Sequence, residues 1–206
     1  DNTFYFNINS KQKIKVLSIN GRSKDSLLKR IYTTDEFDFK SFKLEALNFN
    51  LIPDQNLIVL NEIDVISNAL KAALNAFKND GGYILTIPSS NINLKSYNQL
   101  FKDLNIAPFI TVNKENKRIT SINYDHPLLV NAFYSKVTNF KYPKVDISYR
   151  FSSNINSVLS YEDGTPFLVG NITIFAFSSA LNKDNSNFKN SQLIVPVLYN
   201  MGLQSL

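Results

Sequence analysis

Few residues in this chain of 206 amino acids have side chains suited to chemistry, and they cluster where apolar runs end. Glu62 follows the run Leu57 to Leu60, where a carboxylate can act as a general base or hold a substrate hydroxyl. It can equally be an acidic residue favoured near the start of the next helix. Ser89 lies in Pro88-Ser89-Ser90-Asn91, where a second apolar run gives way to a loop that could present a nucleophile. That turn lacks the glycines of a sharp nucleophile elbow, so a turn or capping serine is the alternative. His126, between Asp125 and Pro127, is the one histidine available as a base oriented by a carboxylate. Its plainer role is to hydrogen-bond a turn. Ser178 and Ser179 end a third apolar run and could line the same crevice or simply turn the chain. Asn61, Ser90 and Ser178 stand at positions where a ligand would be bound. A catalytic set of Ser89, His126 and Glu62 or Asp125 can be assembled on paper, but nothing in the spacing requires these groups to meet.

Composition removes other chemistries. There is no cysteine, which rules out a disulfide framework, a thiolate zinc site and a cysteine nucleophile, while leaving the redox compartment open. A single histidine argues against a multi-histidine metal site, and no metal or cofactor is expected. The net charge of +5 comes from 22 Lys and Arg interleaved with 17 acids along the whole chain. That scatter describes a solvated basic surface rather than a nucleic-acid footprint, which would need clustering on one face. No apolar run approaches the ~18 residues of a membrane span. The chain is therefore expected to be soluble or a piece of something longer. With 44% hydrophobic residues and no Pro-, Ser- or Gly-rich linker, residues 1–206 read as one domain.

The elements that must position these residues centre on Asn56 to Ser90. Leu57 to Leu60 is a continuous apolar run, as in a strand buried on both faces. Leu70, Ala73, Leu74 and Phe77 then recur at helical spacing behind Ser67, a capping residue. Gly81-Gly82 stops the helix, and Tyr83 to Ile87 begins another apolar strand. Such a crossover presents ligands beyond the carboxyl ends of its strands, here Asn61-Glu62 and Pro88-Ser89-Ser90.

Upstream, Asp1 to Ser10 reads as an extended lead-in, and Lys13 to Ile19 as a strand closed by Asn20-Gly21. That single glycine lacks the companions of a phosphate loop. Ser23 or Asp25 could cap a short helix through Leu27, Leu28 and Ile31. A second strand is expected over Lys43 to Leu47 and an amphipathic helix over Leu94 to Leu104. Phe109 to Val112 and Arg118 to Ile122 suggest a hairpin about a polar loop. A helical turn at His126-Pro127 precedes antiparallel strands near Val145 to Phe151, Ser157 to Tyr161 and Phe167 to Val169. Ile172 to Phe177 is apolar enough to rejoin the buried sheet, and Phe188 to Tyr199 closes the chain with a break expected at Pro196. Alternating strands and helices predict a three-layer, mostly parallel α/β sheet with an antiparallel extension in the second half.

The helix ending in Gly-Gly before an apolar strand, Phe77 to Ile87, resembles the class I glutamine amidotransferase-like fold, itself a flavodoxin-like arrangement. In catalytic members the reactive residue lies in the turn after a central strand. If the strand ending at Ile87 is the equivalent one, Pro88-Ser89-Ser90 fills that turn without the cysteine that amidotransferase chemistry needs. More widely, Lys13 to Gly21, Asn187-Phe188 and Leu193 to Asn200 are similar to the large extramembrane region of BatA-type aerotolerance proteins of Bacteroidota. That resemblance implies a periplasmic domain of an inner-membrane protein, attached to the membrane only through segments outside these residues. Its partners would be other envelope or membrane proteins. No Asp-x-Ser-x-Ser metal motif of a von Willebrand A domain is present. Three functions follow as expectations. The first is a non-catalytic binding or interaction module with an unspecified ligand. The second is a serine hydrolase using Ser89 and His126 on an amide or ester. The third is a carbohydrate-binding module in which Tyr97, Tyr142 and Tyr161 offer stacking faces.

Overall fold

The computed structural model describes residues 12–22, 26–130, 132–133, 141–154 and 156–206. The lead-in at Asp1 to Ser10 and the capping candidates Ser23 and Asp25 lie outside the described residues. The first half runs β1 (Ile14–Asn20), α1 (Ser26–Ile31), β2 (Phe37–Lys43), β3 (Leu57–Ile63), α2 (Asn68–Asn79), β4 (Tyr83–Pro88) and α3 (Leu94–Leu104). The second half runs β5 (Phe109–Asn113), β6 (Lys117–Ile122), β7 (Lys144–Val145), β8 (Ser148–Phe151), β9 (Ser157–Tyr161), β10 (Pro166–Gly170), β11 (Ile174–Phe177) and α4 (Ile194–Gln204).

The main sheet has the order β2-β1-β3-β4-β11-β10-β9-β6-β7, and β5 and β8 form a separate pair. Strands β2, β1, β3, β4 and β11 are mutually parallel, whereas β10, β9, β6 and β7 continue the sheet by antiparallel pairing. Runs of Val, Ile and Leu in β1, β3 and β4 suit strands with a core on each face. One core lies against α1 and α4 and holds Val16, Val59, Leu85 and Phe175. The other lies against α2 and α3 and holds Leu17, Ile58, Leu60 and Ile84. The three-layer architecture and its antiparallel extension therefore match the sequence reading.

Helix boundaries follow local chemistry. The Ser67 hydroxyl accepts from the Leu70 amide at 3.1 Å, and Asn93 caps α3 through the Ser96 amide at 2.9 Å. Gly81, at φ 88°, takes the left-handed conformation that ends α2.

Three local expectations are corrected. The second strand is Phe37–Lys43, and Leu44–Ala46 is a single 3-10 turn rather than strand. Aromatics set that register: Phe37 packs edge-on to Tyr32 and to Tyr199, and Phe39 stacks on Tyr32. Next, β5 and β6 do not pair as a hairpin; β5 pairs with β8, and β6 with β9 and β7. Here the driving force is aromatic burial, since Phe109 packs against Phe101, Tyr149 and Phe151 over α3. Finally, Pro196 does not interrupt the last segment. It sits in the first turn of α4, where the missing N–H would have had no helical partner.

Candidate functional site

The order of the five parallel strands reverses between β1 and β3, and a crevice forms beyond their carboxyl ends at such a switch point. Two asparagines meet there. The Asn61 side-chain amide donates to Asn20 Oδ1 at 2.7 Å, and the Ser18 hydroxyl donates to the same oxygen at 2.9 Å. Asn20 Nδ2 donates in turn to Ser41 Oγ at 2.8 Å and to the Phe42 carbonyl at 3.1 Å. Both asparagines are buried, so this network locks β1, β2 and β3 in register where the sheet ends.

The chain then makes two constrained turns. The Gly21 amide donates to the Asn61 carbonyl at 2.9 Å, and a Cβ at Gly21 would lie 2.1 Å from the Glu62 carbonyl oxygen. Glycine is needed for that approach. Opposite it, Glu62 adopts φ 54°, the left-handed region, at a register shift between β3 and β4. A strained residue closing a central strand is where elbow-type nucleophiles sit, but the side chain here is a carboxylate already engaged. Glu62 Oε1 accepts from the Leu181 amide at 3.0 Å and the Asn182 amide at 2.8 Å, and Oε2 accepts from Asn182 Nδ2 at 2.8 Å. Glu62 is 4% exposed. It staples the end of β3 to the segment after β11. Burial pushes the nearby Lys189 ammonium below its usual range, and the Glu62 charge opposes that shift.

Outside the asparagine network the crevice opens into a cavity of about 490 Å³, lined by Gly21, Arg22, Lys43, Glu45, Asp64 and Val65 among others. Arg22 and Asp64 form a 3.0 Å ion pair across it. Val65, 53% exposed, adds an apolar rim. The cavity therefore offers charges of both signs beside an apolar edge.

The remaining candidates fall elsewhere. Ser89 is buried, its hydroxyl accepts from the Asn91 amide at 3.3 Å, and its carbonyl accepts from the Tyr149 hydroxyl at 2.8 Å. Ser90 is half-buried. Ser178 shares a 2.8 Å hydrogen bond with the Tyr161 hydroxyl, and Ser179 is fully buried beside it. His126 Nδ1 accepts from the Leu128 amide at 3.1 Å, so the proton sits on Nε2 and points to the Gly170 carbonyl, also at 3.1 Å. With both nitrogens occupied, the imidazole holds the 126–128 turn to the end of β10. No hydrogen bond among the described residues joins it to Ser89, and Asp125 is exposed and does not orient it. The four catalytic candidates are thus not brought into one constellation.

The tyrosine expectation is corrected in part. Tyr97 and Tyr161 are 0% and 1% exposed, so neither ring offers a stacking face, whereas Tyr142 is 48% exposed. Tyr97 donates to the Ile63 carbonyl at 2.5 Å and packs in the aromatic cluster over α3. Burial pushes its phenol well above the usual range. Among the described residues no group of His, Asp and Glu could hold a metal ion.

In the sequence Asn20 marks only the turn that closes a strand, and Arg22, Asp64 and Asn182 have no assigned role. Asn20-Gly21 after the first strand was a usable signal for the first. Asn182 lies 120 residues from Glu62 and carried none.

Comparison with known proteins shows the fold. No family model and no curated protein sequence matches. A solved protein described as ThuA-like, from Bacteroides uniformis ATCC 8492, superposes with a TM-score of 0.65 at 12% identity, over 98% of this chain and 95% of that one. A solved protein described as a GMP synthase component, from Thermoplasma acidophilum, gives 0.58 at 10% identity, over 94% of each chain. A β-galactosidase from the psychrophilic Marinomonas ef1 gives 0.59 at 12% identity over 94% of this chain, which spans only 29% of that enzyme. The chain therefore has a ThuA-like, glutamine amidotransferase-like α/β fold.

Proposed function

We propose that this domain is a non-catalytic binding module on an amidotransferase-like fold, and that it recognises its partner or ligand at the β1/β3 cleft. One observation carries the reading. The strained position that closes the central strand holds Glu62, whose carboxylate is consumed by the amides of Leu181 and Asn182 and the Asn182 side chain. A carboxylate held in this way serves as a staple rather than as a nucleophile or a mobile base. The engaged nitrogens of His126 support the same reading. The resemblance of Lys13 to Gly21 and Leu193 to Asn200 to BatA-type regions supports a place in the cell envelope. In this reading the domain faces the periplasm, membrane attachment comes from segments beyond these residues, and the partners are envelope or membrane proteins.

The test is a turnover assay on the purified domain with glutamine and with p-nitrophenyl esters, wild type beside Ser89→Ala. Release of ammonia or nitrophenol at the buffer rate in both is the expected result. Wild-type turnover that Ser89→Ala abolishes, with folding intact by circular dichroism, would overturn the proposal in favour of a serine hydrolase.

A further inference from the structure

At the opposite, amino-terminal end of the sheet, beside the β2 edge, lies a cavity of about 680 Å³. Its lining includes Lys13, Lys15 and Lys29, the hydroxyl residues Thr33 and Thr34, and the Gln12 amide. None of the three lysines forms an ion pair among the described residues. The acid in this lining, Asp38, stands next to Lys15 in strand register, yet its carboxylate turns to Lys40 at 3.6 Å. The lining thus carries three cations against one acid.

Two other concave surfaces among the described residues each hold an ion pair. In the cleft Arg22 meets Asp64, and in the groove beside β5 Lys117 meets Asp163 at 2.6 Å. Lys29 has a partial explanation in the last turn of α1, where a cation complements the carbonyl end of a helix. Lys13 and Lys15 have none, and Lys15 is half-buried rather than free in solvent.

We infer that this cavity binds a small molecule through a phosphate or pyrophosphate group. Three cations with adjacent hydroxyl and amide donors match a multiply charged oxyanion, which accepts several charge-assisted hydrogen bonds at once. The volume lies in the range of ordinary ligand sites. The phosphate could be that of a soluble ester or of a lipid headgroup, and the two sources separate by experiment.

Isothermal titration calorimetry with inorganic pyrophosphate is the direct test. One-site, saturable binding is expected, weakened about tenfold by each of Lys13→Gln, Lys15→Gln and Lys29→Gln. Lys71→Gln, on α2 across the sheet, controls for net charge and should leave the affinity unchanged. Sedimentation with vesicles of phosphatidylglycerol in phosphatidylcholine identifies the source. Co-sedimentation that pyrophosphate displaces assigns the site to a lipid phosphate; pyrophosphate binding without co-sedimentation assigns it to a soluble ester. Heat that never saturates, or an equal loss in Lys71→Gln, overturns the inference. The cleft at the other end of the sheet is untouched by either result.

Discussion

Replacing Glu62 tests the staple that closes the cleft. In Glu62→Ala the Leu181 and Asn182 amides lose their acceptor. Leu181 is 1% exposed, so water cannot readily take the place of the carboxylate. Each buried donor left unsatisfied costs about 1–3 kcal/mol, and the half-buried Asn182 side chain costs less because it can turn to solvent. The sum for Glu62→Ala is about 3–5 kcal/mol. Glu62→Gln keeps an oxygen for both amides and gives up the charge and the Asn182 Nδ2 contact, so about 1–2 kcal/mol is expected. The left-handed backbone stays equally unfavourable in both variants, at about 1–2 kcal/mol, and so cancels from the comparison. Urea unfolding followed by circular dichroism reads the difference. With a slope of about 2–3 kcal/mol/M for a chain of this size, Glu62→Ala should lower the midpoint by about 1.5 M, and Glu62→Gln by about a third of that. Equal midpoints for the two variants, or an alanine variant within about 0.5 kcal/mol of wild type, would refute the staple and with it the reason for calling the site non-catalytic.

Two further outcomes follow from named contacts. Gly21→Ala drives a methyl group into the Glu62 carbonyl, which is backbone and cannot swing aside, so a loss of about 2–3 kcal/mol is expected in the same urea assay; an unchanged midpoint would show that the turn has room. Partial burial of Asp163 disfavours its charge, but hydrogen bonds from Lys117 and from the Thr165 hydroxyl and amide outweigh this and hold its carboxyl at about 2. Its folded value lies below the unfolded one, so its contribution is present above about pH 4 and drains away as pH falls toward 2. Asp163→Asn should remove that part of the acid limb of the stability profile, and identical acid limbs for variant and wild type would count against it.

How much was legible in the sequence differs element by element. The Leu57 to Leu60 run, the helical spacing from Leu70 to Phe77, the Ser67 cap and the Gly81-Gly82 stop are local signals, and each element formed where it was expected. Leu94–Leu104 was equally plain. The misplaced second strand and the absent hairpin share one cause. Phe37 and Phe109 are held by rings brought from distant parts of the chain, and such packing outweighs what local periodicity suggests.

Exclusions and architecture could be read from the order of amino acids without a structure. A chain without cysteine and with one histidine cannot run thiol chemistry or build a multi-histidine metal site, and alternating buried strands and amphipathic helices can bury their faces only as layers about a sheet. The tertiary structure alone decided what the candidate residues do. Whether a carboxylate is a base or a staple depends on which donors reach it, and those of Glu62 arrive from 119 and 120 residues away. Whether a histidine is free depends on the Gly170 carbonyl, 44 residues on, and on the backbone of its own turn. Side-chain type sets the possible chemistry, but protonation, strain and access are fixed by neighbours that only folding brings together.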